Sequence, residues 1–237
     1  PPQLDNPDKF IFNAPEMLTL VHPMKGARIR FTTDGSDPDS VRATLYTSPL
    51  QVPGPLRVKA IAVMDGWYAS DIKTFSVFSA GIKPKAAILL TQPDPKYSLQ
   101  GAQSLFDQQK GDPGNLLVHW LGYREGPMKI HLAMEGDKEI SRVIVSAGIS
   151  HSSYVFPPLE VEVRAGMDSG RWESTTRIRP QQPTKYGPME NLACLVPLKK
   201  ARWKYLEITV KPLPALPAWH SGKKQKAWAF VDEIFID

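Results

Sequence analysis

The sequence is poor in cysteine, in long apolar runs and in helical periodicity. Its one cysteine, Cys194, lies in the apolar run 192–196 and cannot form an internal disulfide bond. No Cys/His spacing typical of a metal site surrounds it, so we expect a buried core thiol rather than a metal ligand or a nucleophile. The longest purely apolar stretches, such as 86–90, have five residues and are far shorter than the roughly 18 residues that a membrane-spanning helix needs. A membrane span is therefore not expected.

Neither the N-terminus nor the charge distribution carries a targeting or nucleic-acid signal. The chain begins Pro1-Pro2-Gln3, without an initiator methionine or the features of a signal peptide, which predicts a processed or excised piece of a longer protein. Lysine and arginine number 29 against 24 acidic residues, a formal net charge of +5. The basic residues group only at 199–204 and 223–226, in strand-like runs or a turn. A solvated face is expected there, and a nucleic-acid partner is not.

Turn-forming residues and two-residue alternation dominate the chain of 237 residues. It has 23 prolines and 16 glycines. Alternating apolar and polar residues predict half-buried strands at 27–32, 56–63, 159–164 and 205–211, and the more continuously apolar run 227–231 predicts an internal strand. Short strands separated by turn signals are typical of β-sandwiches, so the expected fold class is all-β. The segment 82–85 is the expected linker between domains 1–81 and 86–237.

The first half of the chain carries a recognisable pattern. Arg30-Phe31-Thr32-Thr33-Asp34-Gly35-Ser36-Asp37-Pro38 is followed by Thr44-Leu45-Tyr46 and by Asp65-Gly66-Trp67-Tyr68. Over about residues 15–80 this resembles the chitobiase/β-hexosaminidase C-terminal domain, also described as a fibronectin type III-associated domain. The resemblance implies an immunoglobulin/fibronectin III-like β-sandwich. Asp34 and Asp37 suggest a cation site, but turn chemistry explains them better; Tyr46 and Trp67 are expected in core or edge packing.

The second half carries another pattern. It runs from Tyr97-Ser98-Leu99-Gln100-Gly101 through Trp120-Leu121-Gly122-Tyr123-Arg124 to Pro217-Ala218-Trp219-His220-Ser221-Gly222 and Lys226-Ala227-Trp228-Ala229-Phe230-Val231-Asp232-Glu233-Ile234. This order resembles the discoidin, or coagulation factor 5/8 type C, domain, in the version that ends many bacterial family 20 β-hexosaminidases. Over about residues 86–237 the resemblance implies a galactose-binding-like (discoidin) β jelly roll.

The resemblance does not bring hydrolase chemistry with it. In those enzymes a separate barrel domain catalyses with an Asp-Glu pair, and two sandwiches leave no room for a barrel in 237 residues. Asp232 and Glu233 adjoin on a predicted strand, where neighbouring side chains point to opposite faces and do not converge on a glycosidic bond. No catalytic residue is predicted, and the chain is not expected to be an enzyme.

The resemblance implies a structural Ca²⁺ between the first loop and the last strand. Asp107, Gly111 and Asp112 stand at the loop positions, and Glu233 stands on the strand. Calcium takes about six to eight oxygen ligands, so backbone carbonyls would supply the rest. Gln108 stands where family members commonly have glycine, which opposes the turn that aims carbonyls at the ion. The alternative is that Glu233 hydrogen-bonds the loop without a metal.

Sugar binding needs an aromatic platform for apolar C–H faces and a few fixed polar groups for hydroxyls. In the folds that this half resembles, the ligand lies among loops at one end of the sandwich. Trp219 and His220 follow three prolines on a stiff loop and are the expected platform, whereas Trp203 and Trp228 lie in strand patterns and are expected in the core. The alternative is that these rings close the barrel or face the other domain. The further candidates for sugar contact are His151, Tyr154, Trp120, Tyr123 and Arg124, with Glu125 beside them.

Three functions are compatible with these patterns. The first is a non-catalytic carbohydrate-binding accessory region of an exported bacterial glycan-degrading protein. The second is a structural spacer or brace at the C-terminus of a β-hexosaminidase-type glycoside hydrolase whose catalytic domain is absent from this chain. The third, an independent glycan hydrolase, lacks converging acids. A glycan and a covalently linked catalytic domain are the expected partners of a monomeric chain, and a periplasmic or extracellular location follows from the family resemblance.

Overall fold

The computed structural model describes residues 1–6, 9–13 and 16–237. The chain divides into two compact units, Pro1–Ala80 and Gly81–Asp237. The segment 82–85, the expected linker, lies within the second unit, where the backbone N–H of Ile82 donates to the carbonyl of Ile236 at 2.7 Å. The regular secondary structure of both units is almost entirely β-strand, which confirms the all-β fold class. Among the described residues, no helix is long and apolar enough to cross a membrane.

The first unit is a small sandwich of short strands. A five-stranded sheet has the order β2-β9-β8-β5-β6, while β1 pairs with β4 and β3 pairs with β7. Its core contains Phe12, Ile29, Val58 and Val77, which project from four different strands. The strands are β1 (Gln3–Leu4), β2 (Ile11–Phe12), β3 (Met17–Leu18), β4 (Leu20–Val21), β5 (Arg28–Thr32), β6 (Thr44–Leu45), β7 (Leu50–Gln51), β8 (Leu56–Val63) and β9 (Lys73–Ser79).

Asp34 and Asp37, the two acids that suggested a cation site, have separate partners. The Oδ1 atom of Asp34 accepts from the backbone N–H of Ser36 at 3.0 Å, whereas Asp37 pairs with the Lys59 ammonium at 2.6 Å. The two carboxylates are therefore occupied separately, as expected of turn residues. Tyr46 packs against the core, but Trp67 is 67% exposed, which corrects its expected place in the packing.

The second unit is a larger sandwich made from one antiparallel sheet of seven strands. The order is β11-β16-β12-β15-β13-β14, and β10 adds to β12. Three short 3₁₀ helices, Pro95–Tyr97, Gly101–Leu105 and His151–Ser153, lie in the connections. The strands are β10 (Ala86–Leu89), β11 (Leu121–Tyr123), β12 (Met128–Ile149), β13 (Glu160–Gly166), β14 (Ser174–Ile178), β15 (Glu190–Lys211) and β16 (Ala229–Ile236).

Two 22-residue strands, β12 and β15, shape the second unit. They pair along nearly their whole length, with irregularities between Ala133 and Lys138 and between Ile140 and Arg142. Such irregularities bend a strand and increase its twist, so the two halves of each strand can pack around one core. That core includes Ile130, Val143 and Cys194. The thiol of Cys194 is buried as expected, and burial raises its pKa to about 12.

Candidate functional site

Six aromatic side chains meet where three loops of the second unit come together. The loops are 150–159 between β12 and β13, 179–189 between β14 and β15, and 212–228 between β15 and β16. Ring centroids lie 5.7 Å apart for His151 and Trp219 and 5.0 Å apart for Tyr186 and Trp219. We call this group the loop-end cluster; its members are His151, Tyr154, Phe156, Tyr186, Trp219 and His220.

Both ring nitrogens of His220 are hydrogen-bonded, and Nε2 joins its loop to loop 150–159. Nε2 donates to the carbonyl oxygen of His151 at 2.9 Å, and Nδ1 accepts from the backbone N–H of Gly222 at 2.9 Å. Only the neutral imidazole with its proton on Nε2 satisfies both contacts. His220 is 2% exposed. Its place in the cluster is therefore to hold the loops together, because neither nitrogen is left for a ligand.

His151 joins the third loop. Its Nδ1 atom accepts from the backbone N–H of Gly187 at 3.0 Å, so a neutral ring carries its proton on Nε2. Burial, and then the neighbouring His220, lower the pKa of His151 below its ordinary value of 6.5. Nε2 is buried and has no hydrogen-bond partner among residues 1–6, 9–13 and 16–237. The imidazole thus keeps one unused N–H donor inside the cluster.

Trp219 and Tyr186 form the accessible part of the cluster. The half-buried Trp219 ring is anchored by Nε1, which donates to the carbonyl of Pro183 at 3.1 Å. Tyr186 is 49% exposed, and its hydroxyl accepts from the backbone N–H of Ser221 at 3.3 Å. Each ring is held at its polar end, which leaves apolar ring surface at the protein surface. Tyr154, also half-buried, adopts a φ of +65° at the C-terminal end of the His151–Ser153 helix.

Trp120 and Tyr123 lie away from this surface. They are 1% and 3% exposed, and Trp120 packs against Phe230 and Val155. The Trp120 Nε1 atom donates to the carbonyl of Asp112 at 3.1 Å, and burial raises the pKa of Tyr123. This placement corrects the expectation that the two rings contact sugar, because a fully buried ring offers no face to a ligand.

Arg124 forms a second partly exposed group with a tryptophan that was expected in the core. The guanidinium lies 5.5 Å from the centre of the Trp228 ring, and Nε donates to the carbonyl of Lys226 at 3.2 Å. Glu125 pairs with Lys226. Trp228 is half-buried, which corrects its expected core position, whereas Trp203 is 5% exposed and does lie in the core.

The four residues expected around Ca²⁺ do not form one ligand set, although Asp107 and Glu233 meet at the backbone N–H of Gln109. Glu233 Oε1 accepts from the backbone N–H of Gln109 at 3.1 Å, and Asp112 Oδ1 accepts from the N–H of Gly114 at 2.8 Å. The carbonyl of Gly111 accepts from Asn191 Nδ2 at 3.1 Å. Asp107 accepts from the N–H of Gln109 at 2.8 Å. This donor set does not fit calcium, because its oxygens are directed at the chain's own N–H groups.

Glu233 is buried beside two other acids, Asp107 and Asp232. Burial, a hydrogen bond with Asp107 and repulsion from Asp232 raise its pKa to about 9. Its contact with the backbone N–H of Gln109 ties β16 to the loop. Glu233 thus hydrogen-bonds the loop directly, as in the metal-free alternative.

Asp232 and Glu233 both contact the same loop, although neighbours on a regular strand point to opposite faces. Asp232 Oδ2 accepts from the N–H of Gly111 at 2.9 Å, next to the Glu233 contact with Gln109. The register of β12 and β16 shifts at this place, from the pair Ser146 and Glu233 to the pair Ala147 and Val231. The extra residue is Asp232, and a bulge of this kind re-aims a side chain. The alternation expected for these two acids is therefore wrong at this position.

Sequence reasoning missed three residues that the structure places at these sites. Tyr186 lies in the exposed segment Pro183-Thr184-Lys185-Tyr186-Gly187-Pro188, and an aromatic residue bounded by proline and glycine was an available signal. Phe156 lies beneath the cluster, 4.9 Å from the ring of His151. Nothing in the sequence predicted the burial of Lys110, because a lysine in a loop normally lies in solvent.

Several solved structures are similar to the chain. The C-terminal domain of a chitobiase from Bacteroides fragilis is 15% identical, covers 65% of this chain and 94% of its own, and has a TM-score of 0.40. A CBM32 module from Clostridium perfringens in complex with GalNAc-β-1,3-galactose is 12% identical, covers 64% and 93%, and has a TM-score of 0.37. A SusE-like protein is 14% identical, covers 99% and 95%, and has a TM-score of 0.37.

A comparison with curated protein sequences found no match. One family model, described as Fn3 associated, matches residues 18–77, within the first unit. This match confirms the resemblance of residues 15–80 to a fibronectin type III-associated domain.

Proposed function

We propose that the second unit binds a glycan at the loop-end cluster and acts as a non-catalytic accessory region of a glycan-degrading protein. The observation that carries this proposal is the pair Trp219 and Tyr186, partly exposed rings that are 5.0 Å apart and anchored at their polar ends. Pyranose rings present apolar C–H faces that pack on aromatic side chains. Because the rings are already held in place, binding costs little ordering entropy.

The other members of the cluster have different roles in this proposal. His220 ties the loops together and contacts no sugar. His151 supplies its unused Nε2–H as a donor for a hydroxyl group that enters the cluster. Tyr154 flanks the rings, and Arg124 on Trp228 extends the polar rim. An exported location, a covalently linked catalytic domain and a monomeric state belong to the same proposal and rest on the family resemblance.

A second candidate function, the structural brace, is favoured by the first unit. Trp67 is 67% exposed and Tyr68 is fully exposed, both in the turn between β8 and β9. Two adjacent exposed aromatic residues are typical of a surface that another domain covers. This function needs no sugar contact by Trp219.

The test is a glycan-array screen followed by calorimetric titration of the best glycan with the full chain. Wild type, Trp219→Ala and Tyr186→Ala are compared with Trp67→Ala, which removes an exposed tryptophan from the other unit. We expect specific binding that Trp219→Ala abolishes, that Tyr186→Ala weakens and that Trp67→Ala leaves unchanged. The absence of binding to any glycan by the folded wild type would favour the brace. Binding that persists in Trp219→Ala would overturn the proposed site.

A further inference from the structure

We propose that Lys110 takes the place of a metal ion in the second unit. Its ammonium group is the cation that joins loop 107–112 to β16, so the unit holds this loop without Ca²⁺. The proposal does not depend on glycan binding, because the loop-end cluster contributes none of its contacts.

The Lys110 side chain is buried among acceptors. Its Nζ atom lies 2.5 Å from Asp232 Oδ2, and the two side chains are 2% and 0% exposed. Nζ also donates to the Ser146 hydroxyl on the neighbouring strand β12. The same Asp232 oxygen accepts from the backbone N–H of Gly111. A buried carboxylate persists only when it is paired and hydrogen-bonded, and the ammonium and this N–H provide both contacts.

Two carbonyl oxygens of the loop are already engaged by side chains of the unit. The carbonyl of Gly111 accepts from Asn191, and the carbonyl of Asp112 accepts from Trp120. In the part of the chain that the structure describes, no three His, Cys, Asp or Glu side chains are grouped so as to hold a metal ion. Asp232 Oδ1 lacks a hydrogen-bond partner among these residues, but it supplies one of the about six to eight ligands that calcium takes.

Two residues of the loop, Gln108 and Gly111, show how its backbone is shaped. Gln108 adopts a φ of +66°, so the turn forms despite the missing glycine. Gly111 is required for a different reason, because a Cβ there would lie 2.2 Å from Cε2 of Trp120. The loop is therefore shaped by packing on Trp120 and closed by the Lys110–Asp232 pair.

The first test uses the full wild-type chain in two buffers, one with EDTA and one with excess CaCl₂. We expect the same melting temperature by scanning calorimetry in both buffers, and no saturable heat when CaCl₂ is titrated into the EDTA-treated, desalted protein. A melting temperature that rises saturably with CaCl₂, together with binding of one equivalent, would overturn the proposal.

The second test removes the cation. In EDTA, Lys110→Met leaves Asp232 buried without a counter-charge, and we expect the melting temperature to fall by on the order of 10 °C. Lys200→Met is the control: Lys200 forms an exposed pair with Glu139, and its loss should leave the melting temperature unchanged. Should Lys110→Met fail to fold, the double variant with Asp232→Asn removes the uncompensated charge and should fold. A Lys110→Met protein as stable as wild type would contradict the proposal.

Discussion

The backbone of Gly222 passes so close to the ring of Tyr154 that a Cβ at residue 222 would lie 2.2 Å from Tyr154 Cε1. Gly222 also donates its N–H to His220, which in turn donates to the carbonyl of His151. Loop 212–228, which carries Trp219, is thus fitted against loop 150–159 without spare room. The loop-end cluster is assembled before any ligand arrives.

Gly222→Ala should damage the cluster, because the new methyl group displaces the Tyr154 ring and separates the two loops. We expect a loss of about 1–3 kcal/mol in the free energy of unfolding, measured by urea denaturation, and loss of glycan binding. Gly126→Ala is the matched control, since its added Cβ meets nothing within 4 Å. Equal stability of the two variants would mean that the loops are not packed as described.

The second unit should lose stability in mild acid through His151. Burial holds the pKa of His151 below 6.5 in the folded protein, whereas the unfolded chain takes up a proton near 6.5. The stabilisation that comes from the neutral His151 imidazole is therefore complete above pH 6.5. It is lost as the pH falls from 6.5 through the lowered pKa of His151 in the folded protein. Protonation would also set an N–H at Nδ1 against the N–H of Gly187.

The measurement for His151 is an NMR titration of the imidazole resonances in native buffer and in urea, the unfolded chain being the reference. We expect the native His151 signal to titrate at a lower pH than the unfolded signal, and urea stability to decrease between pH 7 and pH 5. A native titration at or above pH 6.5 would contradict the buried neutral imidazole.

Gln108→Gly should not weaken the second unit. Gln108 adopts a left-handed backbone conformation, which costs a non-glycine residue about 1–2 kcal/mol and costs glycine nothing. Part of this stabilisation is offset, because a glycine at residue 108 makes the unfolded chain more flexible. We expect a change between zero and about 1 kcal/mol of stabilisation, measured by urea unfolding. A clear destabilisation would mean that the Gln108 side chain makes a contact that offsets its strain.

The thiol of Cys194 should be unreactive in the native protein. It is buried and its pKa is raised to about 12, so almost no thiolate is present at neutral pH. Ellman's reagent should therefore modify it only in denaturant. Ser40→Cys, at an exposed position of the first unit, provides a thiol that should react at once in native buffer. Rapid native modification of wild type would show that the β15 core opens readily.

Residue patterns alone predicted several of the strands and the fold class. The alternation at 56–63 coincides with β8, Leu56–Val63, and the runs 159–164 and 205–211 lie almost wholly within β13 and β15. The prediction succeeds because a half-buried strand must place every second side chain in the core. That requirement produces an alternation that is visible in consecutive residues. The patterns also identified Trp219, Tyr154 and His151 as aromatic or imidazole residues on loops.

The arrangement of those loops became visible only in the folded chain. The contacts of the loop-end cluster join residues from three separate loops. The number of residues between these loops in the chain does not determine how close they lie in space. The bulge at Asp232 reverses a local rule of alternation, since the register of β16 depends on its partner β12. Lys110 is buried because a carboxylate 122 positions further along the chain compensates its charge. The loop contacts, the bulge and the burial of Lys110 all depend on pairing between residues that are distant in the chain. Local residue patterns therefore do not predict them.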